Sequence, residues 1–224
     1  MLLRNLRHAF LKTLPVMAGY LVLGMGFGIL MEKNGFGILW AVAMSVLIYA
    51  GSMQYLAVSL LTAGASLISA ALATLMVNAR HLFYGVSMLG KFRGMGGVKP
   101  ILIYTLSDET FSIVSSVEPP EGVARKGFYL AVSLLNYSYW AVGSVIGSVA
   151  GRFITFDTTG LDFALTGLFV VLFIEQVKNP QNRVSGIIGL VCTAAALAVF
   201  GADQLVIPAM VLILAVLLIG RKKL

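Results

Sequence analysis

The sequence predicts an all-α, polytopic helical membrane protein, and three observations carry that prediction. Hydrophobic residues make up 59% of the 224 positions and charged residues only 11%, where ordinary soluble domains carry about a quarter charged residues. Apolar runs recur along the chain, most reaching the roughly 17–25 residues that a helix needs to cross a bilayer. The net charge of +7 comes from basic residues in short clusters at the ends of these runs, a positive-inside pattern and not a nucleic-acid surface. The ten-residue alternating segments of a membrane β-barrel do not stand out.

Seven spans are expected at 13–31, 36–61, 66–90, 128–150, 161–177, 184–200 and 205–220, forming one membrane domain over residues 1–224. Residues 1–12 (MLLRNLRHAFLK) are basic and amphipathic, suited to the membrane surface, and no small-x-small cleavage site follows them. Pro15 is expected in the first turn of its span, where its missing N–H does no harm. The second span carries Gly51 among Tyr49, Ser52 and Gln54, which predicts a break beside polar groups. After the Gly-rich loop Lys91–Pro100, segment 101–117 is apolar yet contains Asp108 and Glu109, and reads as a candidate re-entrant element. Cys192, the single cysteine, sits in an apolar run and reads as a buried thiol.

The basic clusters at Arg125/Lys126, Lys178/Arg183 and Arg221–Lys223 fall on one side of the C-terminal half, the cytoplasmic one. The charge rule does not choose whether 101–117 crosses. A weak repeat tips the reading toward seven: Tyr20-x3-Gly24-x3-Gly28 recurs as Tyr139-x3-Gly143-x3-Gly147. Seven crossings would run the two copies in opposite senses, the inverted-repeat plan of many secondary transporters. Small-x3-small spacing is also ordinary helix-packing chemistry.

Polar residues inside the apolar runs mark the candidate site. An arginine near the middle of a membrane helix costs roughly 2.5–3.5 kcal/mol on insertion scales, and Arg80 occupies such a place. Taken as one helix, Asn78, Arg80, His81 and Tyr84 share an arc of about 160°. Arg80 can hold a carboxylate in its bidentate fork, or serve as counter-ion to Asp108 or Glu109. The Gln54 amide suits either end of a zwitterion or an interhelical bond. Asp108 and Glu109 suit ammonium recognition or proton coupling, since burial raises a carboxyl pKa and a nearby Arg lowers it. His81 is a proton-relay candidate or a packed neutral group. Asn136, Tyr137, Tyr139 and Trp140 form an aromatic–polar patch, either lining a cavity or belonging to an interfacial belt.

Three blocks then occur in order: Tyr49-Ala50-Gly51-Ser52-Met53-Gln54, Asn78-Ala79-Arg80-His81-x2-Tyr84-Gly85, and Leu106-Ser107-Asp108-Glu109-x-Phe111, followed by Trp140, Gly143 and Gly147. In this the chain resembles the AzlC family, the large subunits of branched-chain amino acid exporters, from Pro15 to Phe173. The resemblance implies a bacterial inner-membrane permease that exports leucine, isoleucine, valine or analogues such as methionine. It also implies a small AzlD-like membrane partner, and places Gln54, Arg80, His81, Asp108 and Glu109 at characteristic polar positions.

Two classes of function are disfavoured by missing motifs. No G-x4-G-K-[ST] loop and no Cys/His ligand cluster occurs, so no nucleotide, metal or other cofactor is expected and a proton gradient is the default energy source. No nucleophile elbow is present either, and an enzyme is not expected. A passive channel for a small polar solute is the competing reading.

Overall fold

The computed structural model describes residues 2–119, 122–154, 170, 173–174, 177–178, 180–201 and 205–220. They are mostly helical, and the chain divides into two compact units, Met1–Leu161 and Asp162–Leu224. The first unit contains α1 (Leu2–Lys33), α2 (Gly37–Leu47), α3 (Gly51–Thr62), α4 (Leu67–Asn78), α5 (Arg80–Met88), a 3-10 turn (Gly96–Val98), α6 (Lys99–Tyr104), α7 (Asp108–Ser116) and α8 (Arg125–Phe153). In the second unit α9 (Pro180–Phe200) and α10 (Val206–Gly220) pack side by side. Cys192 is buried there as a free thiol, as expected. The expected span 161–177 lies for the most part outside the described residues, as does the basic cluster Arg221–Lys223.

The first unit is built on the packing of α1 against α8. Their small residues allow backbone to meet backbone: a Cβ added at Gly28 would stand 2.1 Å from the Ser144 carbonyl oxygen, and one at Gly147 2.0 Å from that of Met25. No side chain fits such gaps, so glycine here is a requirement of close approach. The register rises along both helices together. Asn5 lies against Gly127, Leu21 against Gly143, Met25 against Gly147 and Ile29 against Gly151, and Arg152 reaches back to Glu32 at 3.2 Å. Helices α1 and α8 are therefore parallel. This corrects the expectation that the two Tyr-x3-Gly-x3-Gly copies run in opposite senses: they face one another along one seam.

Two further expectations about α1 change. Residues 2–12 are not a separate surface helix but the first turns of α1, with Asn5, Ala9 and Thr13 buried. Pro15 is accordingly interior to the helix. Its missing N–H releases the Leu11 carbonyl, a defect that membrane helices accommodate with neighbouring polar groups; Thr13 lies close by, its hydroxyl 3.1 Å from that of Tyr139.

The expected spans 36–61, 66–90 and segment 101–117 are each broken. Tyr49 has φ +45°, the only non-glycine positive φ among the described residues, and it separates α2 from α3. The Gln54 amide donates to the Ser45 hydroxyl at 3.3 Å, nine residues earlier, where collinear helices would hold the two about 13 Å apart. Tyr55 returns to the Leu23 carbonyl at 2.7 Å and Phe27. So α3 doubles back, and 36–61 is not one continuous crossing. Helices α4 and α5 bend by 45° at Ala79. Between α6 and α7, Ser107 caps α7 by accepting from the Thr110 N–H at 3.2 Å.

Among the described residues, Arg4–Lys33, Arg125–Phe153 and Arg183–Phe200 are long and apolar enough to cross a membrane; the bent α4–α5 pair reaches that length and hydropathy only if its two helices are counted as one span. A core of Ala9, Met88, Phe92, Leu102, Val114, Phe128, Tyr129 and Val132 fills the end of the unit where α8 begins. At that end the Lys91 ammonium, together with the Tyr129 hydroxyl, holds the exposed Glu118 carboxyl below the usual carboxylate range.

The glycine seam yields a direct test. Overpacking a tight contact typically costs about 1–3 kcal/mol, and here the obstruction is backbone, which cannot rotate away. Gly147→Ala and Gly28→Ala are expected to lower the thermal unfolding midpoint of the detergent-solubilised protein. Gly19→Ala, with open space around it, should leave that midpoint unchanged.

Candidate functional site

The three breaks converge on Arg80, the first residue of α5. Its guanidinium pairs with Asp108 at 2.8 Å and donates to the Ser52 hydroxyl at 3.3 Å. Asp108 opens α7, and Ser52 lies in the first turn of α3. The pair is partly open, with side-chain exposures of 34% and 29%. Part of its hydrogen-bonding capacity is unused: Arg80 Nε, Asp108 Oδ1 and Asn78 Oδ1 are buried without partners. A charged pair with spare donors and acceptors at the meeting of broken helices is suited to a small ligand that carries both charges.

The remaining expected residues fall into two groups. His81 and Tyr84 adjoin Arg80 on α5. His81 Nδ1 donates to the Asn78 carbonyl at 3.2 Å, its ring meets Tyr84 edge-on, and Tyr84 stacks on Phe111 with centroids 4.4 Å apart. The single arc drawn over Asn78–Tyr84 does not hold, because the helix bends between Asn78 and Arg80. Beside His81 lies a mainly apolar cavity of about 330 Å³, lined by Gly85, Met88, Phe92, Ile103 and Leu106 among others.

Glu109 and Gln54 belong instead to the α1–α8 seam. Glu109 accepts from the Tyr20 hydroxyl, which also lies 2.7 Å from the Ser107 hydroxyl. Gln54 is fully buried; its carbonyl accepts from Trp140 Nε1 at 2.9 Å and its amide reaches Ser45, which donates to Ser144 at 2.9 Å. Tyr20 and Trp140 touch edge-to-face at 5.5 Å and so join the two clusters. Three of the four patch residues are internal and not part of an interfacial belt: Asn136, Tyr139 and Trp140 are buried, Tyr137 is half-buried, and Asn136 donates to Thr110 at 3.0 Å. Sequence reasoning missed Tyr20, Ser52 and Ser107 as members of the site. Ser52 and Ser107 fall inside the recurring motif blocks, whereas Tyr20 reads from sequence only as part of a packing repeat.

Fold and site together define a helical membrane protein with an ion pair where broken helices meet. The AzlC protein family matches residues 15–154, and the chain belongs to it. The chain is 45% identical over 97% of its length, and 86% of the relative's, to the branched-chain amino acid transport protein AzlC of Bacillus subtilis. It is 40% identical over 99% of its length, and 97% of the relative's, to an uncharacterized membrane protein of Helicobacter pylori. It is also 27% identical over 89% of its length, and 82% of the relative's, to the inner membrane protein YgaZ of Escherichia coli. No solved structure gives a significant match.

The Arg80–Asp108 geometry predicts strong energetic coupling. Arg80→Gln and Asp108→Asn should each destabilise the solubilised protein by about 1–3 kcal/mol, since each strands a partly buried charge. The double variant should recover much of the loss. A thermal-unfolding cycle with coupling below about 0.5 kcal/mol, the range of independent sites, would refute a structural ion pair and leave Arg80 free for direct recognition.

Proposed function

We propose that the protein is the large subunit of a secondary transporter that exports branched-chain amino acids: leucine, isoleucine, valine or analogues such as methionine. It works in the bacterial inner membrane, coupled to protons and partnered by a small AzlD-like membrane subunit. The observation that carries this reading is the half-open Arg80–Asp108 pair with its unused Nε and Oδ1, next to an apolar cavity. A zwitterion offers one carboxylate and one ammonium. It can insert between the two side chains, giving its carboxylate to the Arg80 fork and its ammonium to Asp108, so that neither charge is stranded. The branched side chain then takes the apolar space beside His81, a volume within the usual range for small-ligand pockets.

Family membership and the name of the Bacillus relative support the substrate class. The N-terminal ends of α1 and α8, with Arg4, Arg7, Lys12, Arg125 and Lys126, take the cytoplasmic side under the positive-inside rule. Glu109, held by Tyr20 within the seam, is the proton-coupling residue. Substrate entering the Arg80 pair changes the field at this neighbouring carboxyl and so its proton affinity.

The test is efflux of labelled leucine, isoleucine, valine and methionine from cells with and without the chain and its small partner. Uphill efflux that collapses with a protonophore is expected, whereas downhill flux indifferent to the protonophore would establish a passive channel. Glu109→Gln should abolish the pH dependence of efflux while the protein still reaches the membrane. An unchanged pH profile would remove Glu109 from coupling.

A further inference from the structure

One stretch of sequence occurs twice. Leu47-Ile48-Tyr49-x2-Ser52-x-Gln54 returns as Leu102-Ile103-Tyr104-x2-Ser107-x-Glu109, with the same spacing throughout. Both copies form a helix, a break and a second helix: α2–α3 and α6–α7. Their equivalent residues make equivalent contacts. Tyr49 and Tyr104 both pack on the ring of Tyr137, at 4.8 and 6.3 Å. Gln54 accepts from Trp140, and Glu109 accepts from Tyr20, on the two facing helices of the seam. Arg80 bridges the copies, bound to Ser52 of one and to Asp108 of the other. The Tyr104 hydroxyl donates to the Val46 carbonyl, so the two breaks touch.

The copies approach from opposite ends of the seam. Helix α2 follows directly on the C-terminal end of α1, descends with Ser45 beside Ser144, and turns at Tyr49 near Tyr137. Helix α3 then climbs back past Leu23. The other copy begins and ends at the opposite level. Gly96 lies near Lys126, and Glu118 accepts from Tyr129 at 3.1 Å. Lys91 holds the Val114 and Ser115 carbonyls at 2.8 Å. Its turn reaches mid-depth, where Ser107 meets Tyr20 and Thr110 meets Asn136.

We infer that α2–α3 and α6–α7 are two copies of one re-entrant hairpin, inserted from opposite faces of the membrane, and that their tip residues Ser52 and Ser107 line a single water-accessible path at Arg80. The path's cargo rests on the transporter reading; the hairpins do not. Each hairpin closes the path from its own side, and α4–α5 crosses between them. The inverted relation thus joins α1 plus its hairpin to α4–α5 plus its hairpin, leaving α1 and α8 parallel.

Cysteine labelling tests this in the full chain with Cys192→Ser. Asn34→Cys and Ala63→Cys flank the first hairpin; Gly97→Cys and Ser116→Cys flank the second, and all four positions are exposed. With a membrane-impermeant maleimide, Asn34→Cys and Ala63→Cys should label from one face, and Gly97→Cys and Ser116→Cys only from the other. Ser66→Cys and Gly90→Cys replace any variant that fails to reach the membrane. Ser52→Cys and Ser107→Cys should react with a small charged thiosulfonate. A pair whose members label from opposite faces, or two tip cysteines both inert to the thiosulfonate, would overturn the inference. A failure of amino acid efflux would leave every labelling result unchanged, so the two readings fail separately.

Discussion

The contact between the α1 and α8 backbones is the constraint on which the first unit depends. Glycine and serine on the facing surfaces let the two helices close until no side chain fits between them at Gly28 and Gly147. Aromatic residues from the same surfaces then project at one level: Tyr20 from α1, Tyr137 and Trp140 from α8. The α2–α3 and α6–α7 breaks both find partners there. A shift of one helical turn between α1 and α8 would move Tyr20 from Glu109 and Trp140 from Gln54 together, so the seam fixes both clusters at once.

Charge in an apolar setting is handled locally. Arg80 would be expensive alone, but it meets an acid and a hydroxyl supplied by two different chain breaks. Because the breaks expose helix ends rather than side chains only, the same geometry that gathers the polar groups also frees backbone from its ladder. The residual capacity of Arg80, Asp108 and Asn78 is what separates this cluster from the Gln54 cluster, where the amide has both a donor and an acceptor partner.

Much of this was legible in the residues. Hydropathy identified the membrane class, Gly51 among polar neighbours signalled the break after Tyr49, and Asp108–Glu109 in an apolar run signalled that 101–117 is no ordinary span. Direction was not legible. Residues 36–61 carry no charged side chain, and hydropathy is the same whether α3 continues or turns back. Pro15 looked like a helix start because propensity cannot see α8 stabilising the turns before it. Gln54 and Arg80 read alike as polar residues inside apolar runs, because hydropathy does not show which partners each will meet. Tyr20 reads as a packing residue because its hydroxyl partners, Ser107 and Glu109, lie far along the chain. The Leu-Ile-Tyr-x2-Ser repeat was the available signal for the hairpins, and comparison of the two blocks with each other would have exposed it.

Parallel packing of α1 and α8 also sets their dipoles side by side, with like ends together. At the C-terminal ends, where both dipoles are negative, Lys33 donates to the Ile154 carbonyl and Arg152 pairs with Glu32, which offsets the repulsion. At the N-terminal ends neither first turn holds an acid, and Arg4, Arg7, Arg125 and Lys126 add to two positive poles. Part of the compensating charge comes from the loop after α7, where the Glu118 carboxylate lies 4.0 Å from Arg125. An anionic leaflet on that face would add to it, each nearby basic residue contributing about 1 kcal/mol of attraction.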